Sequence, residues 1–242
     1  MSNAETLLAA RRDPGKRPAQ LMVPIGDAAE AYAVQAAVQA RLGAIGGWKV
    51  GAAGAGFTCA PLPLSGIVGS GALVREAECP DRGVEAEVAL LLGADLVPRE
   101  GGYSRDEVMA AVASAHPAIE LLQSRFQDVG AVDALSALAD SLSHHGLVTG
   151  AAIPGWARVD YAGESVEVVV NGVVVKHGHG NPAGDMGRLL VWLANEGAVW
   201  AGGLRAGQWV TTGSWTGKDT VPEKGHVAMR FGTCGVVEAR YG

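Results

Sequence analysis

The segment SVEVVVNGVVVKHGHG, residues 165–180, constrains the fold most strongly, because two valine-rich runs flank an Asn-Gly pair. β-Branched residues favour strands, and Asn-Gly suits the type I′ turn that closes a two-residue hairpin. The segment therefore predicts a pair of antiparallel strands. Comparable strand-like runs recur along the chain, at residues 48–52, 84–92, 117–122, 146–153, 208–213, 226–232 and 236–242.

Helical patterns lie between and before these runs, and the clearest of them covers residues 27–43. Asp27 followed three positions later by Glu30 has the spacing of a capping box. The buried stripe of this helix is predicted from apolar residues that recur every four positions, which are Val34, Val38 and Leu42. Similar patterns predict three more helices, at residues 4–12, 104–115 and 181–197.

The composition indicates a globular protein with one core. Of 242 residues, 48% are hydrophobic and 18% are charged, which excludes a disordered chain. We expect a single domain of the α+β class over residues 1–242, with a helical section at 1–45 and a β body at 46–242. No period of 20 to 50 residues repeats, so the pattern excludes a solenoid.

Charge and cysteine content exclude several partners. The formal net charge is −6, so neither a nucleic acid nor an anionic membrane is expected as partner. No apolar run reaches the ~18 residues of a membrane helix, and no signal peptide is recognisable. The three cysteines are scattered without a CxxC motif, which favours a reducing cytoplasm over a disulfide scaffold.

Two glutamates, Glu85 and Glu87, stand at the head of the apolar run VEAEVALLL. Alternate residues of a strand share a face, so their Cα atoms lie ~6.5–7 Å apart on one side. A solvated strand face is the ordinary interpretation of such a pair. However, the run PAIELL contains a third acid, Glu120, among apolar residues, and an unpaired buried carboxylate is very costly. Three converging carboxylates would suit a hard cation, Mg²⁺ or Mn²⁺.

Basic residues near these runs allow more than one interpretation. Lys49 in GGWKVG is either a surface lysine or a cation that balances the acids and contacts a substrate carboxylate. His144 and His145 point to opposite faces if extended, so a loop role is favoured over joint metal binding. His177 and His179 would share a strand face, but no third zinc ligand is linked to them.

The ordered set of segments resembles the 2-keto-4-pentenoate hydratase and 4-oxalocrotonate decarboxylase family of the fumarylacetoacetate hydrolase superfamily. The segments are GWKVG, VEAEVALLLGADL, PAIELLQSRF, DSLSHHGLVTG, NGVVVKHGHGNPAGDMGRLLVWLANEG and LRAGQWVTTGSWTG. The resemblance implies a mixed β-roll and homo-oligomers. It also implies a divalent metal held by Glu85, Glu87 and Glu120, a catalytic lysine at Lys49, and pocket residues Asp140, Ser143, Ser214 and Thr216.

The implied activity is that of a metal-dependent lyase acting on a small, anionic 2-oxo or 2-hydroxydienoic acid in the catabolism of aromatic compounds. Hydratases of the family carry an acidic pair on a loop after the lysine, whereas residues 57–74 here contain no acid. Hydratase activity is therefore only slightly favoured over decarboxylase activity, and the loop at 53–74 is expected to set substrate selectivity. Two alternatives stay open: a non-catalytic metal-binding subunit that pairs with a related pathway enzyme, and a C–C bond hydrolase of the same superfamily.

Overall fold

The computed structural model describes residues 1–53 and 56–242, which form two β-sheets with flanking helices. The helices are α1 (Asn3–Arg12), α2 (Ala28–Leu42), α3 (Arg105–Ala110), α4 (Ala134–Ala139) and α5 (Met186–Trp192). The strands are β1 (Ile45–Ala53), β2 (Gly56–Pro63), β3 (Ile67–Gly69), β4 (Ala72–Val74), β5 (Gly83–Leu92), β6 (Val112–Leu122), β7 (His144–Thr149), β8 (Ser165–Val170), β9 (Val173–His179), β10 (Trp209–Thr211), β11 (Asp219–Thr220), β12 (His226–Phe231) and β13 (Gly235–Tyr241).

The larger sheet has the strand order β2-β1-β10-β5-β6-β7-β3, and β11 also pairs with β5. The smaller sheet has the order β4-β13-β12-β8-β9. Parallel pairs (β1 with β10, β3 with β7, β4 with β13) occur beside antiparallel ones. The mixed sheets confirm the predicted α+β class. The extent of the domain, 1–242, stays a prediction.

The hairpin predicted at the Asn-Gly pair is confirmed. Strands β8 and β9 are antiparallel neighbours, and the turn between them has φ values of 50° at Asn171 and 84° at Gly172. Both are positive, as a type I′ turn requires. Asn tolerates this region better than most residues that have a side chain, and Gly enters it without steric cost.

Helix α2 begins as predicted, but its most buried stripe differs from the predicted one. The Asp27 side chain accepts a hydrogen bond from the Glu30 backbone N–H at 2.9 Å and so caps the helix. The residues buried deepest are Ala31, Gln35 and Gln39, while Val34 and Val38 are only partly buried. Hydrophobic spacing pointed to the wrong residues because the glutamines find hydrogen-bond partners inside the fold.

Several predicted boundaries were wrong. Helix α3 ends at Ala110, and residues 112–115 already belong to β6, a strand of 11 residues. The helix predicted at 181–197 begins at Met186 and continues as a π-helical turn over Leu193–Gly197. His144 and His145 begin strand β7 rather than lying in a loop. None of the helices in the described ranges is both long and apolar enough to cross a membrane.

The segment 53–74, predicted to be a selectivity loop, is largely strand. Residues 56–63 form β2, which pairs antiparallel with β1, and β3 and β4 follow within the same segment. Residues 54 and 55 lie outside the described part of the chain. The described remainder of this segment is therefore held in the sheets by backbone hydrogen bonds.

Candidate metal centre

The register of β5 against β6 brings the three predicted acids together. Glu85 lies directly opposite Glu120, and Glu87 is two residues further along the same face of β5. One carboxylate oxygen from each residue lies within 4.8 Å of those of the other two. Glu87 is only 1% exposed, so a solvated strand face is wrong for that residue, and Glu120 opposite is 0% exposed.

Glu120 uses one of its two carboxylate oxygens for protein contacts. The Lys49 Nζ lies 3.0 Å from Glu120 Oε1, and the His144 Nδ1 lies 2.8 Å from the same oxygen. The other oxygen, Oε2, is buried and has no hydrogen-bond partner among the described residues. Burial would raise the pKa of Glu120, but Lys49 and the hydrogen bond from His144 hold it well below its usual value. A charged carboxylate therefore presents a free oxygen to the cluster.

The other two acids are less well compensated. Burial, together with the charge of Glu120, raises the pKa of both Glu85 and Glu87. The nearest backbone partner is the N–H of Gly213, which lies 3.1 Å from Glu87 Oε2. Like charges at this separation disfavour ionisation unless a cation compensates them.

Lys49 reaches the cluster from β1, two strands away from β5 in the sheet order β1-β10-β5. Its side chain is 13% exposed, and Nζ also lies 3.4 Å from the carbonyl oxygen of Leu142. Burial alone would lower the pKa of Lys49, but the three neighbouring carboxylates, Glu120 first, raise it. Lys49 is thus an ammonium ion, held in the charged form by the carboxylates.

The residues present fit a hard divalent cation. Three carboxylates and one ammonium leave a formal charge of two minus, and a divalent ion would cancel it. The converging donor atoms are all oxygens, as Mg²⁺ and Mn²⁺ prefer. The buried Glu120 Oε2 without a partner is the kind of atom that a metal ion satisfies.

A pocket of about 360 Å³ opens beside the acids, which is within the size range of small-molecule sites. Lys49, Glu85 and Glu87 contribute its charged lining in the described part of the chain. Ser214 also lines it, and its hydroxyl is buried there. The Thr216 hydroxyl instead donates to the Gly217 carbonyl oxygen and is not among the described lining.

The structure places Asp140 and Ser143 outside this described lining. Asp140 is buried against Arg125, whose Nε donates to one carboxylate oxygen while its backbone N–H donates to the other at 3.0 Å. The turn that joins Asp140 to β7 is unusual, because Ser141, Leu142 and Ser143 have φ values of 53°, 52° and 65°. Such left-handed backbone costs roughly 1–2 kcal/mol per residue. The turn directs the Leu142 carbonyl oxygen toward Lys49.

Sequence reasoning missed His144 as a member of the site. It was correct that two adjacent histidines would diverge, because His144 faces Glu120 whereas His145 lines a different cavity with Leu121 and Gly146. Strand pairing could have indicated His144, since it lies on the strand antiparallel to β6 and pairs with Leu122, two residues from Glu120. His177 and His179 lie on β9, where His177 is 3.8 Å from Glu167.

The fold and the acid cluster define the class of protein. A 4-oxalocrotonate decarboxylase from Pseudomonas putida G7, solved with magnesium and adipate, superposes with a TM-score of 0.82 at 24% identity, covering 99% of this chain and 96% of that one. A protein from Yersinia pestis CO92 described as a putative fumarylacetoacetate hydrolase family protein superposes with a TM-score of 0.61 at 17% identity, covering 81% of this chain and 91% of that one. The fold is therefore that of the fumarylacetoacetate hydrolase superfamily.

Curated relatives indicate the family within that class. A 4-oxalocrotonate decarboxylase from Pseudomonas putida is 28% identical over 185 residues, 74% of this chain and 65% of the relative. A 2-keto-4-pentenoate hydratase from Dechloromonas aromatica is 30% identical over 148 residues, 61% of this chain and 55% of the relative. The matches thus span 55% to 65% of the length of these relatives. No family model matches the chain.

The resemblance to the 2-keto-4-pentenoate hydratase and 4-oxalocrotonate decarboxylase family is confirmed by these relatives. The two activities in these names, decarboxylation and hydration, are both lyase activities, but they change different bonds of their substrates. The reaction type and the substrate of this chain are therefore inferred from the geometry of the site.

Proposed function

We propose that the chain is a divalent-metal-dependent lyase that acts on a small 2-oxo acid. One observation carries the proposal: three carboxylates and the Lys49 ammonium converge at a pocket, with the buried Glu120 Oε2 left free for a ligand. A cation bound there would supply Lewis-acid stabilisation of the negative charge that develops on the 2-oxo oxygen. We propose Mg²⁺ or Mn²⁺, since the donor set contains only oxygens.

The chain's own residues would bind the acid and move protons. The Lys49 ammonium can pair with the substrate carboxylate, because its raised pKa keeps it charged. As the protonated group at the pocket it would also return a proton to carbon once the reacting bond has broken. Ser214 adds a hydroxyl at the pocket wall, beside Glu85, where its hydrogen bond partly offsets the rise in the pKa of that carboxyl. The neighbouring Gly51 and Ala52 leave room for a small substrate.

The pocket bears on the choice between hydration and decarboxylation. Hydration needs a base directed at a water, whereas decarboxylation needs mainly an electron sink and a proton donor. In the described lining, the acids are Glu85 and Glu87, which the proposal assigns to the cation. The absence of another acid from this described lining supports decarboxylation, whereas the sequence slightly favoured hydration. Cytoplasmic location, homo-oligomers and association with a related enzyme stay predictions.

The test is turnover by the purified chain alone. With Mg²⁺ or Mn²⁺ and a panel of 2-hydroxydienoates and 2-oxo-enedioates, we expect loss of substrate absorbance that EDTA abolishes and added metal restores. Release of CO₂ identifies decarboxylation, and formation of a 4-hydroxy-2-oxo acid identifies hydration. Metal binding with turnover only after a related enzyme is added would instead support the non-catalytic subunit. Turnover that persists in EDTA would contradict the proposal.

A further inference from the structure

A second, smaller cavity lies beside His144. Its volume is about 20 Å³, and its lining includes His144, Gln35 and Arg11. A cavity needs about 10–15 Å³ to hold one water molecule, together with two to four polar partners. This cavity is separate from the pocket beside Lys49, whose described lining contains neither His144 nor Gln35.

The hydrogen bonds of His144 determine its tautomer. Its Nδ1 lies 2.8 Å from Glu120 Oε1, and the Lys49 ammonium, which only donates, lies 3.0 Å from the same oxygen, so Oε1 is the acceptor in both contacts. The proton must therefore be on Nδ1, and Nε2 carries a lone pair. That Nε2 is buried and has no partner among the described residues.

The hydrogen bonds of Gln35 determine the orientation of its amide in the same way. Its Nε2 donates to the carbonyl oxygens of Leu138 at 2.6 Å and Cys59 at 3.3 Å. Both partners are acceptors, so exchanging the amide nitrogen and oxygen would leave two acceptors facing the Gln35 oxygen. Gln35 Oε1 is therefore a second buried acceptor with no partner in the described part of the chain, and it belongs to a residue that lines the same cavity.

Both acceptors belong to residues that line this cavity, and one water molecule, which has two hydrogens to donate, can satisfy two acceptors. Arg11 also lines the cavity, and its guanidinium donates to the carbonyl oxygens of His144 and His145 at 3.3 and 3.0 Å. We propose that His144 is a positioning residue for Glu120, held as the Nδ1–H tautomer by one buried water that bridges it to Gln35. The bond to Oε1 then fixes the carboxylate so that Oε2 faces the cluster.

The role of this network toward a cation rests on the proposed function. Residues that orient a metal ligand typically change metal affinity by about 10- to 100-fold when they are removed. Helix α2, through Gln35, would thereby support a site to which it contributes no ligand.

The test is Mn²⁺ binding by calorimetry to the full chain and its variants, each first shown to be folded by thermal unfolding. We expect His144→Leu to weaken binding about 10- to 100-fold. His144→Asn, whose amide can still donate from the position of Nδ1, should recover most of the loss. His145→Leu is the matched control, since it removes the adjacent histidine that faces the other way, and its affinity should equal that of the wild type. Wild-type affinity in His144→Leu would overturn the proposal.

A second measurement separates this inference from the proposed function. Long-range ¹H–¹⁵N spectra of the metal-free wild type should show His144 protonated at Nδ1 and unprotonated at Nε2. Protonation at Nε2 would overturn the network whatever the protein binds. Failure of the wild type to bind Mn²⁺ would overturn the proposed function, and the spectra would then decide the network alone.

Discussion

Two buried clusters of charge meet at His144, and they are built differently. On one side, the Arg125 guanidinium donates to the Asp140 carboxylate and to the carbonyl oxygens of Gln123 and His144. The second carboxylate oxygen of Asp140 accepts from the Arg125 backbone. On the other side, among the described residues, the Glu85, Glu87 and Glu120 cluster makes one ion pair with a lysine, from Lys49 to Glu120, and its buried Glu120 Oε2 has no hydrogen-bond partner.

The difference separates a structural ion pair from a candidate binding site. A buried pair is stable only when further hydrogen bonds satisfy the remaining atoms of both groups, and the Arg125 cluster meets that condition within the protein. The acid cluster meets that condition only when a further partner, such as a cation, binds to it. Unsatisfied buried charge is therefore the signature that points to function here, more than burial or charge alone.

The largest effect expected from this comparison follows removal of Arg125. Arg125→Met leaves the buried Asp140 carboxylate without its partner and should lower the free energy of unfolding by about 3–5 kcal/mol. Urea unfolding monitored by circular dichroism measures the change. Arg125→Met combined with Asp140→Leu should recover much of the loss, because no charge is then stranded. A loss below about 1 kcal/mol for the single variant, as at a surface ion pair, would contradict the structural assignment.

The acid cluster should respond in the opposite way. Glu87→Gln removes one of the uncompensated charges, so the metal-free protein should be as stable as the wild type or more stable. Turnover should fall by more than about 100-fold, beyond the range typical of residues that only orient a ligand. Steady-state kinetics and thermal unfolding without metal give the two values. Reduced stability of the metal-free variant would mean that Glu87 is a structural residue like Asp140.

Metal should stabilise the protein through the acid cluster only. At Mn²⁺ concentrations 100-fold above the dissociation constant, binding to the native state contributes about 2.7 kcal/mol. At roughly 2–4 °C per kcal/mol for a chain of this size, Tm should rise by about 5–10 °C. Differential scanning fluorimetry with and without EDTA measures the shift, and Glu87→Gln should abolish it. Absence of any shift in the wild type would remove the basis for a cation site.

The smallest effect concerns the left-handed turn between the two clusters. Ser143 has φ of 65° and lies outside the described pocket lining. Ser143→Gly should raise the free energy of unfolding by about 0.5–1 kcal/mol, because glycine enters this region without steric strain. Chemical unfolding gives the stability, and kcat/KM should stay within about twofold of wild type if Ser143 does not contact substrate. A large loss of kcat/KM would instead support the substrate-binding role predicted from sequence.

Many strands of both sheets were predictable, because strand signals are local. The Asn171-Gly172 turn specifies its own hairpin, and the alternation in β5 places Glu85 and Glu87 on one face whatever they pair with. The boundary between α3 and β6 was not predictable, since Ala-rich sequence is compatible with both structures. Pairing of Ser114 and Ala115 with Leu91 and Leu90 of β5 selects the strand there.

The individual pocket residues were harder to predict than the acids. Ser214 lines the pocket, whereas Asp140 is held by Arg125 in a separate cluster. A sequence motif records which residue types occur together, but it does not record which neighbour satisfies each of them. In this chain Arg125 takes up the hydrogen-bonding capacity of Asp140, and the pattern of residues near Asp140 did not reveal that.

The sequence by itself determined the fold class, the main strands and the acids that share a face, because these depend on backbone periodicity and on turns of a few residues. Only the tertiary structure decided that Glu120 lies opposite Glu85, that Lys49 joins them from two strands away, and that His144 and Gln35 lie behind them. Those contacts depend on strand order, register and burial. Each of these is set by packing between segments that are far apart in the chain, and no local pattern contains it.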